Sequence, residues 1–250
     1  MMLATKKKNA RQNLVDVAIF ASVLILILSI AGFASGQPTG ANFTYNVTDT
    51  IAPTAASSLV TAGGSFTTMV LNGTFQTQKW KAYVGNVTGI ISLDDANKNT
   101  IYDWNLAIIS GEVYVTRNET VDWSTVTCAD NTSLGKEEAF LNINTTSADS
   151  INNTFNDTIH QEFYVGTQQI IASSCRAIAT YINDAQQVVD ENADFQEVLL
   201  EDANENMVFA GIIENSLAGY DNSAFDFQMI VPEDETSQTP NEYYFYVEIS

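Results

Sequence analysis

Basic side chains are scarce in this chain of 250 residues, which holds 10 lysines and arginines against 30 aspartates and glutamates. The net charge is −20 at pH 7. Proteins that bind nucleic acid need clustered lysine and arginine to neutralise the phosphates. The charge therefore excludes nucleic acid as a general partner.

Histidine and cysteine are almost absent as well, with one His160 and two cysteines. A single histidine excludes paired-histidine metal sites, and two cysteines exclude both a Cys₄ zinc site and a disulfide-dense small protein. The sequence has no Gly-x-Ser-x-Gly, no phosphate-binding loop and no His-Glu-x-x-His. With 30 acids, no pair of carboxylates stands out for glycoside chemistry. We interpret the chain as not an enzyme, and we expect no organic cofactor.

The N-terminus joins a basic flank, Lys6 to Arg11, to an uncharged run of 19 residues, Val17 to Ser35. This pattern is typical of a signal peptide or a signal anchor. Small residues before Gln37 permit cleavage there. If the helix is uncleaved, residues 15–35 span the membrane and everything after them lies outside. Residues 1–36 are thus predicted to be a leader or a membrane and filament helix.

Glycosylation motifs are about twice as frequent as the composition predicts. An exported chain can carry glycans at Asn-x-Ser/Thr, although Asn- and Thr-rich strands also generate such motifs by chance. The candidate asparagines all lie between positions 42 and 156: Asn42, Asn46, Asn72, Asn86, Asn118, Asn131, Asn144, Asn152 and Asn156.

The two cysteines, Cys128 and Cys175, form an even and isolated pair. In an oxidising exterior such a pair predicts a disulfide. Two separately buried thiols are the alternative.

Alternating apolar residues dominate the chain after a polar spacer, residues 37–65. Period-two patterns occur at 79–84, 101–108, 225–231 and 243–249, and they predict half-buried antiparallel strands. We therefore expect residues 66–250 to form an acidic, mainly β domain, resembling an antiparallel sandwich with a few short helices.

Helical spacing is restricted to the middle of the chain. The stripe of Cys175, Ile178, Ile182, Ala185 and Val189 predicts a helix over 175–189. Residues 134–141 and 149–155 predict two shorter helices.

Two segments of the chain resemble each other at an offset of 107 residues: LDDANKNTIY at 93–102 and LEDANENMVF at 200–209. Asn and Asp favour turns, so two similar hairpin turns are the first interpretation. Calcium binding by alternating oxygen ligands is the alternative. The candidate ligands are Asp95, Asn97, Asn99, Asp103, Asp202, Asn204 and Asn206.

Acidity is strongest in residues 151–250, which hold 18 acidic side chains and only Arg176 as a base. Three explanations stay open: a solvated surface in a salty habitat, cation bridging between subunits, and an electrostatic surface for a partner.

Several segments, among them KWKAYVGNVTG, GEVYVTR, DFQMIVPE and YYFYVEI, resemble a group of archaeal secreted proteins without assigned activity. The overall layout also resembles archaeal type IV pilins, which join a hydrophobic N-terminal helix to a glycosylated β-rich head. The leader departs from the pilin pattern, because Ala10-Arg11 stands where a basic-Gly or basic-Ala cleavage site is expected. These resemblances imply a location at the cell surface.

Together these features predict an N-glycosylated, non-enzymatic protein of the cell surface with a structural or envelope-contact role. A filament subunit is the first alternative; it would assemble through the hydrophobic helix or by strand exchange of residues 41–48. An extracellular module for polysaccharide or cations is the second, and Tyr83, Tyr244 and Tyr246 are candidate sugar contacts.

Overall fold

The computed structural model describes residues 37–234, 236–237 and 239–249, which form mainly antiparallel strands. The predicted N-terminal helix lies outside these residues. Within them, none of the helices has the length and apolar character needed to cross a bilayer. The strands are β1 Thr39–Gly40, β2 Trp80–Gly85, β3 Ile90–Asp94, β4 Thr100–Asn105, β5 Gly111–Thr116, β6 Thr127–Cys128, β7 Phe163–Val165, β8 Gln168–Ile170, β9 Ala177–Ala179, β10 Gln196–Glu201, β11 Met207–Ile212, β12 Leu217–Ala218, β13 Ala224–Phe225, β14 Phe227–Pro232 and β15 Tyr244–Ile249.

Three short helical elements accompany the strands: a 3₁₀ turn at Trp123–Thr125, α1 at Asn131–Phe140 and α2 at Ile151–Thr154. The side chain of Asp130 accepts the N–H groups of Thr132 and Ser133 and caps α1, and Ser150 caps α2 through the N–H of Asn153. Such caps satisfy N–H groups that have no partner within the helix. The prediction of a mainly antiparallel β domain with few helices is confirmed.

The central element is a seven-stranded sheet in the order β1-β15-β5-β11-β10-β6, with β9 also paired to β10. Its strands β5, β10 and β11 are buried almost throughout. Because side chains alternate between the two faces of a strand, both faces of this sheet must be covered.

One face of the sheet forms a core with β14 and the two α-helices. Val115, Leu199 and Phe209 point to this side and pack with residues such as Met229 and Phe155. Strand β14 pairs with β2 in a separate two-stranded layer.

The opposite face of the sheet is covered by the loops around the cysteines and by the hairpin β7–β8. Tyr114, Val198 and Val208 lie on this side and pack with residues such as Trp123 and Phe163. Neighbouring residues of one strand thus belong to different cores, as the period of two requires.

The helix expected over residues 175–189 does not form, and this prediction was wrong. Ala177–Ala179 is instead strand β9, paired antiparallel with Gln196–Val198 of β10. Asn183 and Asp184 have φ values of 48° and 59°, which a right-handed helix does not allow. Backbone pairing of these residues with the buried strand β10 thus decides their conformation, although their apolar spacing fits a helix.

Part of the predicted spacer belongs to the sheet. Thr39 and Gly40 pair with Val247 and Tyr246 of β15, and the N–H of Ala41 donates to the carbonyl of Phe245. The chain then leaves the sheet, and the described residues contain no further strand until Trp80.

Candidate functional site

The hairpin β3–β4, residues 90–105, is exposed at every strand position. We call it the open hairpin. Its register places Ile91 opposite Trp104 and Leu93 opposite Tyr102, so these four side chains share one face. Their exposed fractions are 41%, 47%, 57% and 61% in that order. The sequence predicted a half-buried strand at 101–108; β4 forms there, at Thr100–Asn105, but it is exposed rather than half-buried.

Residues 44–76 are exposed throughout and contain neither a helix nor a strand. We call them the open segment. It carries one charge, Asp49, and none after it. Several of its large apolar side chains are almost fully exposed, with 93% at Phe66 and 95% at Val70. Contiguous exposed apolar surface of this kind is typical of interaction sites.

The turn of the open hairpin has a close counterpart in the buried hairpin β10–β11. In the first turn the N–H groups of Asn97 and Asn99 donate to Asp95 Oδ1, each at 2.8 Å. In the second, those of Asn204 and Asn206 donate to Asp202 Oδ1 at 2.9 and 3.0 Å. Lys98 and Glu205, at equivalent positions, have φ values of 65° and 61°. The repeated sequence therefore encodes the same Asx-type turn twice.

The carboxylate of Asp95 accepts several N–H donors, which lower its pKa. Burial alone would raise the pKa of Asp202, but the N–H groups it accepts outweigh burial and lower its pKa as well. Asp202 also accepts the N–H of Asp122 at 3.0 Å. In the described residues no group of three or more acidic, histidine or cysteine side chains is placed to hold a metal. The calcium hypothesis stays a prediction. It is tested by comparing the melting temperature in calcium chloride with that in sodium chloride at equal ionic strength.

The buried Glu112 and Tyr114 and the half-buried Glu248 form a cluster between β5 and β15. Glu112 and Glu248 are direct cross-strand neighbours. The hydroxyl of Tyr114 lies 3.3 Å from Glu112 Oε2 and 3.2 Å from Glu248 Oε2. The N–H of Gly166 donates to both oxygens of Glu248 at 2.9–3.1 Å.

The protonation of this cluster follows from burial and from the like charges. Burial first, and then the charge of Glu248, raises the pKa of Glu112 to about 8. Burial also raises the pKa of Glu248. Glu112 is buried beside the half-buried Glu248, and the two carboxyl groups cannot both be charged at low cost, so Glu112 holds a proton at neutral pH.

Glu197 is a second buried acid of the core. Its Oε2 accepts the N–H of Ile230 at 2.9 Å, whereas its Oε1 has no hydrogen-bond partner among the described residues. Burial raises the pKa of Glu197 well above the ordinary value. A neutral carboxyl is the form that such a site tolerates.

Many of the remaining acids hold irregular backbone in place. Asp226 accepts the N–H groups of Val87 and Ser216, each at 2.8 Å. Glu233 accepts the N–H of Asn241 and pairs with Lys81. Part of the acidic composition thus serves the fold, because each such carboxylate satisfies donors that no strand reaches.

The predicted disulfide is confirmed: Cys128 and Cys175 are bonded, with their Cα atoms 4.9 Å apart. It ties β6 to the loop before β9. His160 supports this loop: its Nε2 accepts the N–H groups of Ser174 and Cys175 at 3.2 and 3.0 Å. Burial lowers the pKa of His160, so the neutral ring that these bonds require is favoured.

None of the nine asparagines in the glycosylation motifs is buried. Asn118 and Asn152 are half-buried and the other seven are exposed. All nine positions are therefore compatible with an attached glycan, and their occupancy stays a prediction.

Two of the tyrosines expected on outer strand faces pack against the domain instead. The Tyr83 ring lies 4.9 Å from that of Phe245, and the Tyr246 ring lies 5.1 Å from that of Trp123. These contacts remove them from an exposed platform for a sugar polymer.

The open segment and the open hairpin are the strongest candidate site, and the sequence alone did not single them out. The alternating apolar residues of the hairpin follow the same pattern as buried strands, so its exposure could not be read from the sequence. Comparison of the chain with protein-family models, with curated proteins and with solved structures gave no match in any of the three.

Proposed function

We propose that this chain is a non-enzymatic, N-glycosylated structural protein of the cell surface whose acidic β domain associates with further copies of itself. The observation that carries the proposal is the open hairpin, whose apolar face of Ile91, Leu93, Tyr102 and Trp104 is 41–61% exposed. Covering such a face in water contributes roughly 25 cal/mol per Å² of apolar surface.

The long uncharged stretch supports a contact between copies. A domain with this excess of acid repels its own copies wherever acidic surfaces meet. Residues 50–76 carry no charge, so they can approach another copy without this repulsion. A surface location is supported by the N-terminal apolar run, by the disulfide and by the accessible glycosylation motifs.

Sedimentation velocity of the full chain across a concentration series tests the proposal. We expect concentration-dependent association that strengthens with added sodium chloride, because the Debye length falls from about 10 Å at 0.1 M to about 3 Å at 1 M. A chain that stays monomeric at every concentration and salt level would contradict the proposal.

The filament alternative is supported by one observation of its own. The open segment and the open hairpin are two different surfaces, and a contact between unlike surfaces propagates from copy to copy. Electron microscopy of the associated protein distinguishes filaments from closed or irregular assemblies.

A further inference from the structure

We infer that residues 66–71 of one copy add as a strand to the open hairpin of a second copy. This inference rests on the proposed function and specifies which two surfaces meet. Residues 66–71 read Phe-Thr-Thr-Met-Val-Leu, and all of them lie in the open segment.

The hairpin has the properties of an acceptor. Among the described strands, β3 and β4 pair only with each other, so each has an outer edge of unpaired N–H and C=O groups. A two-stranded hairpin is marginally stable alone in water. A third strand supplies backbone hydrogen bonds and extends the apolar face.

Residues 66–71 have the properties of a donor strand. The stretch contains aromatic and β-branched residues, no proline and no charge, the composition that favours extended pairing. In an extended conformation Phe66, Thr68 and Val70 point to one side, and Thr67, Met69 and Leu71 point to the other. One of these two rows therefore joins the apolar face of the hairpin.

Charge selects the open segment over a second hairpin as the occupant. The open hairpin carries Asp94, Asp95 and Asp103 against Lys98, so two hairpins placed together would bring like net charges into contact. Like charges directly opposite each other destabilise a strand pair. The uncharged residues 66–71 avoid this cost.

The single chain does not make this contact itself. Both surfaces stay exposed in the described structure, with Val70 at 95% and Leu93 at 57%. Each copy thus offers one donor strand and one acceptor hairpin, and the contact is of the head-to-tail kind that yields rings or open filaments.

Site-specific crosslinking tests which surfaces meet. Full-length copies carrying Val70→Cys or Leu71→Cys are mixed with differently tagged copies carrying Leu93→Cys and treated with a short thiol-specific crosslinker. We expect crosslinks between the two kinds of copy. Copies carrying Val188→Cys, another strongly exposed position, serve as the matched control and should crosslink far less to Leu93→Cys.

Sedimentation of the same mixtures distinguishes a failure of the assigned surfaces from a failure of the proposed self-association. Associated copies whose 70–93 and 71–93 crosslinks do not exceed the control would overturn the assigned surfaces and leave the proposed function standing. Copies that do not associate at all would contradict both.

Complementation provides a second test that does not depend on crosslinking geometry. Val70→Asp removes a good donor and Leu93→Asp a good acceptor, and because both positions are exposed, neither change should shift the urea midpoint of unfolding. Each variant alone should associate at least about tenfold more weakly, since a charge would enter a dry contact.

An equimolar mixture of the two variants should form complexes of two or three copies but no larger species, because one intact hairpin has two outer edges to which donor strands can add. The Leu93→Asp copy keeps an intact donor, and the Val70→Asp copy keeps an intact acceptor. A mixture that stays as monomeric as the separate variants, or variants that associate like the unchanged chain, would overturn the inference.

Discussion

The same ten-residue pattern closes a buried hairpin at β10–β11 and an exposed one at β3–β4. In both turns an aspartate carboxylate, Asp202 or Asp95, accepts backbone and side-chain N–H groups from the two asparagines that follow. The strands around Asp202 are almost wholly buried, whereas those around Asp95 are exposed along their entire length.

This difference separates what local sequence decides from what the rest of the chain decides. The Asp-Ala-Asn-x-Asn sequence sets the turn in both places, because its hydrogen bonds are all local. Burial depends on distant partners: Val115 and Met229 pack on the β10–β11 hairpin, and nothing equivalent packs on the open hairpin in the described chain. In our account a second copy supplies that cover.

The largest contrast between the hairpins is expected from truncating the equivalent aromatic residues Phe209 and Tyr102. Phe209 is 1% exposed and Tyr102 is 61% exposed. Phe209→Ala should lower the free energy of unfolding by about 3–5 kcal/mol, because it leaves a cavity. Tyr102→Ala should change it by less than about 0.5 kcal/mol in the dilute monomer. Urea denaturation measures both, and equal losses would contradict the contrast.

Acids in the core and in the open hairpin should also differ in how they respond to pH. Glu112 has a pKa of about 8 when folded, against an ordinary value of 4.5. The folded state therefore binds a proton that the unfolded state has lost, and stability falls as pH rises from about 4.5 to about 8, by about 5 kcal/mol at 1.4 kcal/mol per pH unit.

Glu112→Gln should flatten this decline, because the amide keeps a neutral partner for Tyr114 and does not titrate. Asp103→Asn in the open hairpin is the matched control and should leave the decline unchanged. Melting temperatures from pH 5 to pH 9 measure both effects. A wild-type melting temperature that rises from pH 5 to pH 9 would contradict the predicted fall in stability and thus the raised pKa of Glu112.

The disulfide should stabilise the core and leave the open hairpin unaffected. Replacing Cys128 and Cys175 together by serine should cost about 3–4 kcal/mol on the loop-entropy estimate. Hydrogen exchange of the β3 and β4 amides should be the same in both forms of the dilute monomer. Slower exchange of the β3 and β4 amides in the disulfide-bonded form would instead show that the open hairpin unfolds together with the core.

The two turns provide the smallest and most closely matched contrast. Asp202→Ala should lower global stability by about 1–2 kcal/mol, because it removes a buried carboxylate that accepts several part-buried N–H groups. Asp95→Ala breaks the same kind of bonds in solvent and should lower it by less than about 0.5 kcal/mol. Comparable losses at both positions would show that the open hairpin is part of the cooperative core.

Sequence reasoning was reliable where the determining contacts are local or few. It located the turns at 95 and 202, the short helices at 134–141 and 149–155, and the disulfide. Each of these depends on neighbouring residues or on a pair without competitors. The patterns at 225–231 and 243–249 likewise became β14 and β15.

It failed where cross-strand partners decide the outcome. The apolar stripe from Cys175 to Val189 fits a helix, but pairing with β10 makes Ala177–Ala179 a strand. The proximity of Glu112 and Glu248 depends on the register of β5 with β15, which periodicity does not reveal. The exposure of the open hairpin was missed for the same reason, since a strand pattern does not show whether a covering layer exists.

Amide hydrogen exchange of the dilute and the associated chain tests the central claim most directly. We predict that association slows exchange in residues 66–71 and in the outer edge of the open hairpin, while the amides of β10 and β11 change little. Association that leaves both open regions unprotected, and slows exchange only on other surfaces, would contradict the account.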